Sequence, residues 1–126
     1  MTTKQTGKTT IDWRYHRNSC STCEKAGLYL ASHNVEILES VDARKVRMGR
    51  DEALKLAGSV DHIYASRGTK SVHLDLKADK PSDDELIALL IGPTGNLRAP
   101  TLKIGRQLLV GFDKTGYDLV FAGSSK

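Results

Sequence analysis

The chain's only two cysteines, Cys20 and Cys23, stand two residues apart in Arg17-Asn18-Ser19-Cys20-Ser21-Thr22-Cys23-Glu24-Lys25-Ala26. At that spacing one thiolate can attack a sulfur while the other resolves the mixed disulfide that forms. Two other uses of such a pair are weaker here. As incidental buried thiols they would not need this spacing or this context. A zinc site would need two more ligands from His16, His33, His62 or His73, and no second Cys-x-x-Cys or His pair at ligand spacing is present.

The flanking segments show how such a pair would be positioned. From Ile11 to Arg17 apolar and polar residues alternate, Ile11, Trp13 and Tyr15 against Asp12, Arg14 and His16, which predicts a strand with one buried face. After it, Ser21 and Glu24 have capping-box spacing, Cys23, Ala26, Gly27 and Leu30 share a helical face, and His33-Asn34 supplies a stop. Cys20 then falls where a strand ends and a helix begins. Unpaired N–H groups and the positive end of the helix dipole favour its thiolate, lowering the pKa from about 8.5 towards roughly 3.5–7.5. Cys23 lies one turn further in, under Ala26 and Leu30, and suits the resolving role. His16, four residues before Cys20, is expected to face solvent and is not assigned as a base.

Bulk properties narrow the class. A length of 126 residues suits a single domain, residues 11–126, preceded by a polar tail at 1–10. No apolar run is long enough to span a bilayer, and the N-terminal residues lack the apolar core of a signal peptide, so a cytoplasmic protein is expected. In that reducing compartment a Cys-x-x-Cys is redox-active more often than structural. Nineteen Lys and Arg against fifteen Asp and Glu give a net charge of +4. That bias suits anionic substrates and falls short of a nucleic-acid signature. Neither nucleic acid nor membrane is expected as a partner, and a monomer is expected.

The remaining elements follow in order. Val35 to Val41 reads as a second strand, parallel to the first across the helical crossover. A basic stretch, Arg44, Lys45, Arg47 and Arg50, leads into a short helix from Asp51 to Ala57. It is either a solvated charged face or a docking face for an acidic partner. Within the segment 59–80, His62–Ser66 and Ser71–Leu76 alternate around Arg67-Gly68-Thr69-Lys70, which predicts a hairpin, with a short helix at 60–65 as the alternative. Pro81-Ser82-Asp83-Asp84-Glu85 opens the clearest helix, and Gly92-Pro93 stops it. After the turn at Gly92–Leu97, Thr101–Ile104 and Gln107–Phe112 form an antiparallel hairpin, and Asp113 caps a last helix.

This order resembles the thioredoxin superfamily. Cys20-Ser21-Thr22-Cys23-Glu24-Lys25-Ala26, the helix near 50–57, Pro81-Ser82-Asp83-Asp84-Glu85-Leu86 and the block from Arg98-Ala99-Pro100 to Val110-Gly111-Phe112 are together similar to the ArsC family. That family contains glutaredoxin-coupled arsenate reductases and the Spx regulators. The resemblance implies an α/β thioredoxin-like fold: a mixed four-stranded sheet flanked by helices, with a small insert between the βαβ half and the C-terminal ββα half. It implies Cys20 as nucleophile, Cys23 as the second cysteine of Spx-type members, and Pro100 as the cis-proline facing the cysteine. Arg98 is then placed to hold an anionic substrate or a glutathione carboxylate, with Arg17 beside it. Ala99 and Thr101 would offer backbone groups to an extended thiol substrate. Ala99 occupies the position where arsenate reductases of the family carry an arginine, which argues against arsenate. The leading expectation is a thiol–disulfide oxidoreductase with no bound cofactor, acting on a thiol or disulfide, which could be on a protein. Glutathione, thioredoxin or glutaredoxin would reset it. The alternatives are an Spx-like redox-switched binding regulator and a glutathione-linked arsenate reductase.

Overall fold

A computed structural model describes residues 9–17, 21–33, 35–67, 70–93 and 95–124. Cys20 lies outside the described residues.

The N-terminal strand is longer than its alternation suggested and is broken once. Strand β1 (Thr9–Ile11) and strand β2 (Trp13–His16) are separated by Asp12, whose N–H donates to Lys103 O at 2.9 Å. Its carboxylate accepts from Gly105 N at 2.7 Å. Helix α1 (Ser21–Ala31) crosses over to β3 (Val35–Ile37) and β4 (Ser40–Asp42). The expected single strand at 35–41 is thus split, but the parallel ladder runs on through the break. Leu38 N donates to Ile11 O and Arg14 N to Glu39 O, both at 2.9 Å.

Helix α2 (Arg50–Gly58) is followed by β5 (His62–Arg67) and β6 (Lys70–Asp75), a hairpin in register from His62 opposite Asp75 to Arg67 opposite Lys70. Asp75 then caps a single turn, α3 (Leu76–Asp79), by accepting from Lys77 N and Ala78 N. Helix α4 (Asp83–Leu90) begins on a capping box: Ser82 Oγ accepts from Glu85 N at 3.2 Å, and Ser82 N donates to Glu85 Oε1 at 3.0 Å. Strands β7 (Thr101–Ile104) and β8 (Gln107–Val110) and helix α5 (Lys114–Ser124) complete the chain.

The main sheet has the order β4-β2-β7-β8-β5-β6, with β1 and β3 extending one end. It has six strands where four were expected. The hairpin accounts for the difference, because β5 pairs in parallel with β8, from His62 opposite Gln107 to Ala65 opposite Val110. An edge with unpaired N–H and C=O groups is thereby covered.

Alternating side chains send two cores to opposite faces of the sheet. On one face Ile11, Leu102, Ile104 and Leu109 meet Ala26, Tyr29 and Leu30 of α1 and Tyr117, Val120 and Phe121 of α5. On the other, Tyr15, Ile63, Ala65, Leu108 and Val110 meet Ala53 and Ala57 of α2 and Leu89 and Leu90 of α4. Each fully buried Leu, Ile or Val contributes about 1.5–3 kcal/mol of transfer free energy, so both helix pairs are held mainly by these contacts. Among the described residues no helix is long and apolar enough to cross a membrane.

Candidate functional site

A cleft of about 680 Å³ opens where the end of β2, the start of α1, the β4–α2 connection and the segment before β7 converge. Its walls are made differently. Arg17 and Thr22 come from the β2–α1 junction, and Ala43, Arg44 and Arg47 from the connection after β4. The opposite wall is formed by Gly92 and Pro93 and by the segment 96–99, closed by Gly111 after β8, and Tyr15 forms the floor.

The connection after β4 is organised by Asp42. Its carbonyl accepts from Lys45 N at 3.0 Å and Val46 N at 2.9 Å, and its carboxylate accepts from Arg44 N at 2.8 Å. The tight turn leaves Arg44 and Arg47 exposed along the cleft. Beneath them the buried Tyr15 donates its hydroxyl to Val46 O at 2.5 Å. Burial is the main cause that raises the Tyr15 pKa; a backbone bond from Met48 and the charge of Arg47 act the other way.

The opposite wall is held by its own polar groups. Gly92 N donates to Asn96 O at 2.8 Å, Arg98 N to Leu90 O at 2.8 Å, and Leu97 N to Met48 O at 2.6 Å. The Arg98 guanidinium donates to Ser66 O at 2.8 Å, Leu89 O at 3.2 Å and Ser66 Oγ at 3.2 Å. One side chain therefore joins β5, the end of α4 and the loop before β7. Gly111, at φ +74°, lies against that guanidinium; a Cβ there would lie 2.7 Å from Arg98 Nη2. Gly111 N donates to Pro100 O at 2.8 Å.

Of the residues singled out from sequence, Arg17, Arg98 and Ala99 line the cleft. Arg98 does so as a tied residue. The Ala99–Pro100 peptide bond is cis, and Pro100 is fully buried. Thr101 is fully buried too. Its hydroxyl donates to Arg98 O at 2.6 Å, and it sits in the sheet between Tyr15 of β2 and Val110 of β8. Its backbone therefore serves the sheet and is not presented to the cleft. Cys23 is buried at 1 % exposure on the α5 side of α1. There its charge is one of the causes, after burial, that raise the Tyr117 hydroxyl pKa. Aromatic rings roof this region: Tyr29 meets Tyr117 edge-on at 5.2 Å and Phe112 at 5.9 Å. His16 is half-buried at the end of β2, opposite Asp42.

The stretch holding Arg44 and Arg47 was expected as a solvated charged face or a docking face for a larger acidic partner, and its place along the cleft was not foreseen. The signal was Asp42 followed at once by a short basic stretch, since an Asp accepting from the N–H two residues on closes a turn.

The cleft at a strand-to-helix junction beside a cis-proline, on a mixed sheet covered by helices on both faces, defines a thioredoxin-like protein. Residues 15–119 match the ArsC family, and the chain belongs to it. It is 28 % identical over 100 residues to the global transcriptional regulator Spx of Streptococcus mutans, covering 76 % of this chain and 72 % of the relative. It is 27 % identical over 103 residues to the regulatory protein MgsR of Bacillus subtilis, covering 79 % of this chain and 81 % of that one.

Proposed function

We propose that this protein is a thiol–disulfide oxidoreductase in which Cys20 attacks a disulfide or oxidised thiol and Cys23 resolves the mixed disulfide. The observation that supports this most is the burial of Cys23, the third residue of α1 and almost fully covered. A thiol so placed is shielded from solution reagents and stands three positions after Cys20 in the sequence, which suits a resolving thiol. The reaction balances as a two-electron exchange. Cys20 thiolate bonds to one substrate sulfur and expels the other as thiolate; Cys23 thiolate then expels the second, leaving a Cys20–Cys23 disulfide. An external thiol, from glutathione, thioredoxin or glutaredoxin, reduces it again.

Substitution tests the division of labour. With Cys23→Ser, a mixed disulfide on Cys20 should accumulate and be visible by intact-mass spectrometry, whereas Cys20→Ser should trap nothing. Alkylation should fall first on Cys20, with a pH midpoint below the ordinary value of about 8.5. Adducts on Cys23, or equal alkylation of both, would overturn the assignment.

A second reading is supported by the relatives, both of which are regulators. In it the same pair is a redox switch that changes the binding of a protein partner. Catalytic turnover separates the two, since a switch forms the disulfide but reduces test disulfides little. Arsenate reduction is the least supported activity. Ala99 stands beside Pro100, and the neighbouring Arg98 is committed to Ser66 and Leu89.

A further inference from the structure

Resting on the thiol–disulfide reading above, we propose that the cleft selects small disulfides bearing carboxylates, through the side chains of Arg17, Arg44 and Arg47. Three observations carry this. First, these arginines are exposed along the cleft and form no ion pair with any described residue. Two other arginines do have carboxylate partners: Arg50 meets Asp84 at 3.5 Å, and Arg106 meets Asp61 at 2.8 Å. Second, no Asp or Glu is among the described residues lining the cleft, so its described walls carry three exposed guanidinium groups against the single carboxylate of Asp42 behind the turn. Concave walls of one sign concentrate ligands of the opposite sign. Third, the size is wrong for a bare oxyanion. Such an ion fills the room of about three waters, roughly 90 Å³ at ~30 Å³ each, against about 680 Å³ here. Cavities of this volume hold organic ligands of some length.

The charge of Arg47 is felt by Tyr15 at the cleft floor, ahead of the opposing charge of Asp42, although burial still sets the direction of the Tyr15 shift. An elongated dianion could thus set its carboxylates against the Arg17 and Arg44–Arg47 side of the cleft, with its sulfurs towards the start of α1. Arginine is suited to this, as its planar donors match a carboxylate two at a time. The chemical step is the exchange already written: one R–S⁻ leaves when Cys20–S–S–R forms, and the charge selection acts on the encounter and on the position of R.

The test uses the Cys23→Ser full-length protein, which stops at the mixed disulfide, and three disulfides of similar length: 3,3′-dithiodipropionate (dianion), 2-hydroxyethyl disulfide (neutral) and cystamine (dication). Adduct formation at low ionic strength should be about tenfold faster for the dianion than for the neutral compound, and about a hundredfold faster than for the dication. Added salt should compress these ratios. Adding Arg44→Ala and Arg47→Ala should bring them to within about twofold, with circular dichroism unchanged, since neither side chain bonds to a described residue. A separate readout needs no thiol chemistry. Octanedioate, which matches the dianion in length, should bind the wild-type protein in calorimetry and lose at least tenfold in affinity in the double variant. Equal rates for all three disulfides, or a preference that survives the double substitution, would overturn the proposal. If no disulfide forms an adduct, the redox reading falls, and octanedioate then decides charge selection alone: binding that depends on the two arginines supports it, and absence of binding overturns it.

Discussion

Arg98 and the pair Arg44 and Arg47 line the same cleft and are used in opposite ways. Arg98 is half-buried, and its guanidinium donates to Ser66 O, Ser66 Oγ and Leu89 O. Arg44 and Arg47 ride on a turn closed by Asp42, with their guanidinium groups exposed and without an ion pair among the described residues. A guanidinium with three bonds to groups of its own fold has less left for a ligand, whereas one held only through its backbone keeps its fork for an anion. One wall of the cleft is therefore a brace that fixes the segment before Pro100, and the other is a source of charge. Arg98's bonds to Ser66 and Leu89 make stability depend on it, whereas Arg44 and Arg47 are exposed and make no such bonds among the described residues.

The sharpest break of that contrast lies at Gly111. Its φ of +74° is disfavoured for any residue with a Cβ, and that atom would press on Ser66 Oγ and lie 2.7 Å from Arg98 Nη2. Gly111→Ala should cost about 3–4 kcal/mol in urea unfolding, from backbone strain and overpacking together. Next is Arg98→Ala, which leaves the Ser66 and Leu89 carbonyls without their donor and should cost about 2–3 kcal/mol. The two changes meet at one point, so the double variant should lose less than their sum by about 1 kcal/mol. Arg44→Ala with Arg47→Ala, by contrast, should shift stability by no more than about 0.5 kcal/mol. A large loss there would mean that the second wall is also a brace.

Much of this arrangement was legible in the sequence, and the limits have physical causes. Alternation in Val72 and Leu74 marked β6, and Ser82 with Glu85 marked the start of α4, because both signals are local; Leu76, read as a continuation of β6, opens α3 instead. The partner of β5 was not legible. A period of two says that a strand has a buried face, but not that its edge pairs with β8, so a six-stranded sheet was read as four. The same holds at the site. Roles for Cys20 and Cys23 could be proposed from their spacing, and one for Pro100 from the family resemblance, while the commitment of Arg98 to Ser66, 32 residues away, depends on that unseen pairing. From sequence the stretch of Arg44 and Arg47 read as a solvated face or a docking face, and nothing local told that the Asp42 turn lines one cleft with them and Arg17.

A milder test comes from an arginine far from the cleft that does have a carboxylate partner. Arg106 donates through Nε to Asp61 Oδ2 at 2.8 Å and through Nη2 to Asp61 Oδ1 at 3.0 Å, and Lys77 stands 3.9 Å away. The Arg106 hydrogen bond foremost holds the Asp61 carboxyl below its usual range. A carboxyl with a depressed folded pKa adds stability that is complete above its unfolded value of about 3.9 and is lost as pH falls through the folded value. Asp61→Asn removes that contribution, so the variant should be slightly less stable than the wild type at neutral pH. The gap should close as pH is lowered below about 4, and salt should narrow it at neutral pH, since the pair is open to solvent. Arg44→Ala with Arg47→Ala should show no such closing gap, because no described carboxylate is coupled to those side chains. Unfolding midpoints of both variants and the wild type between neutral and acid pH check this. A pH-dependent gap in the arginine double variant would mean that Arg44 or Arg47 already has an acidic partner within the fold, and the contrast between the two walls would fail.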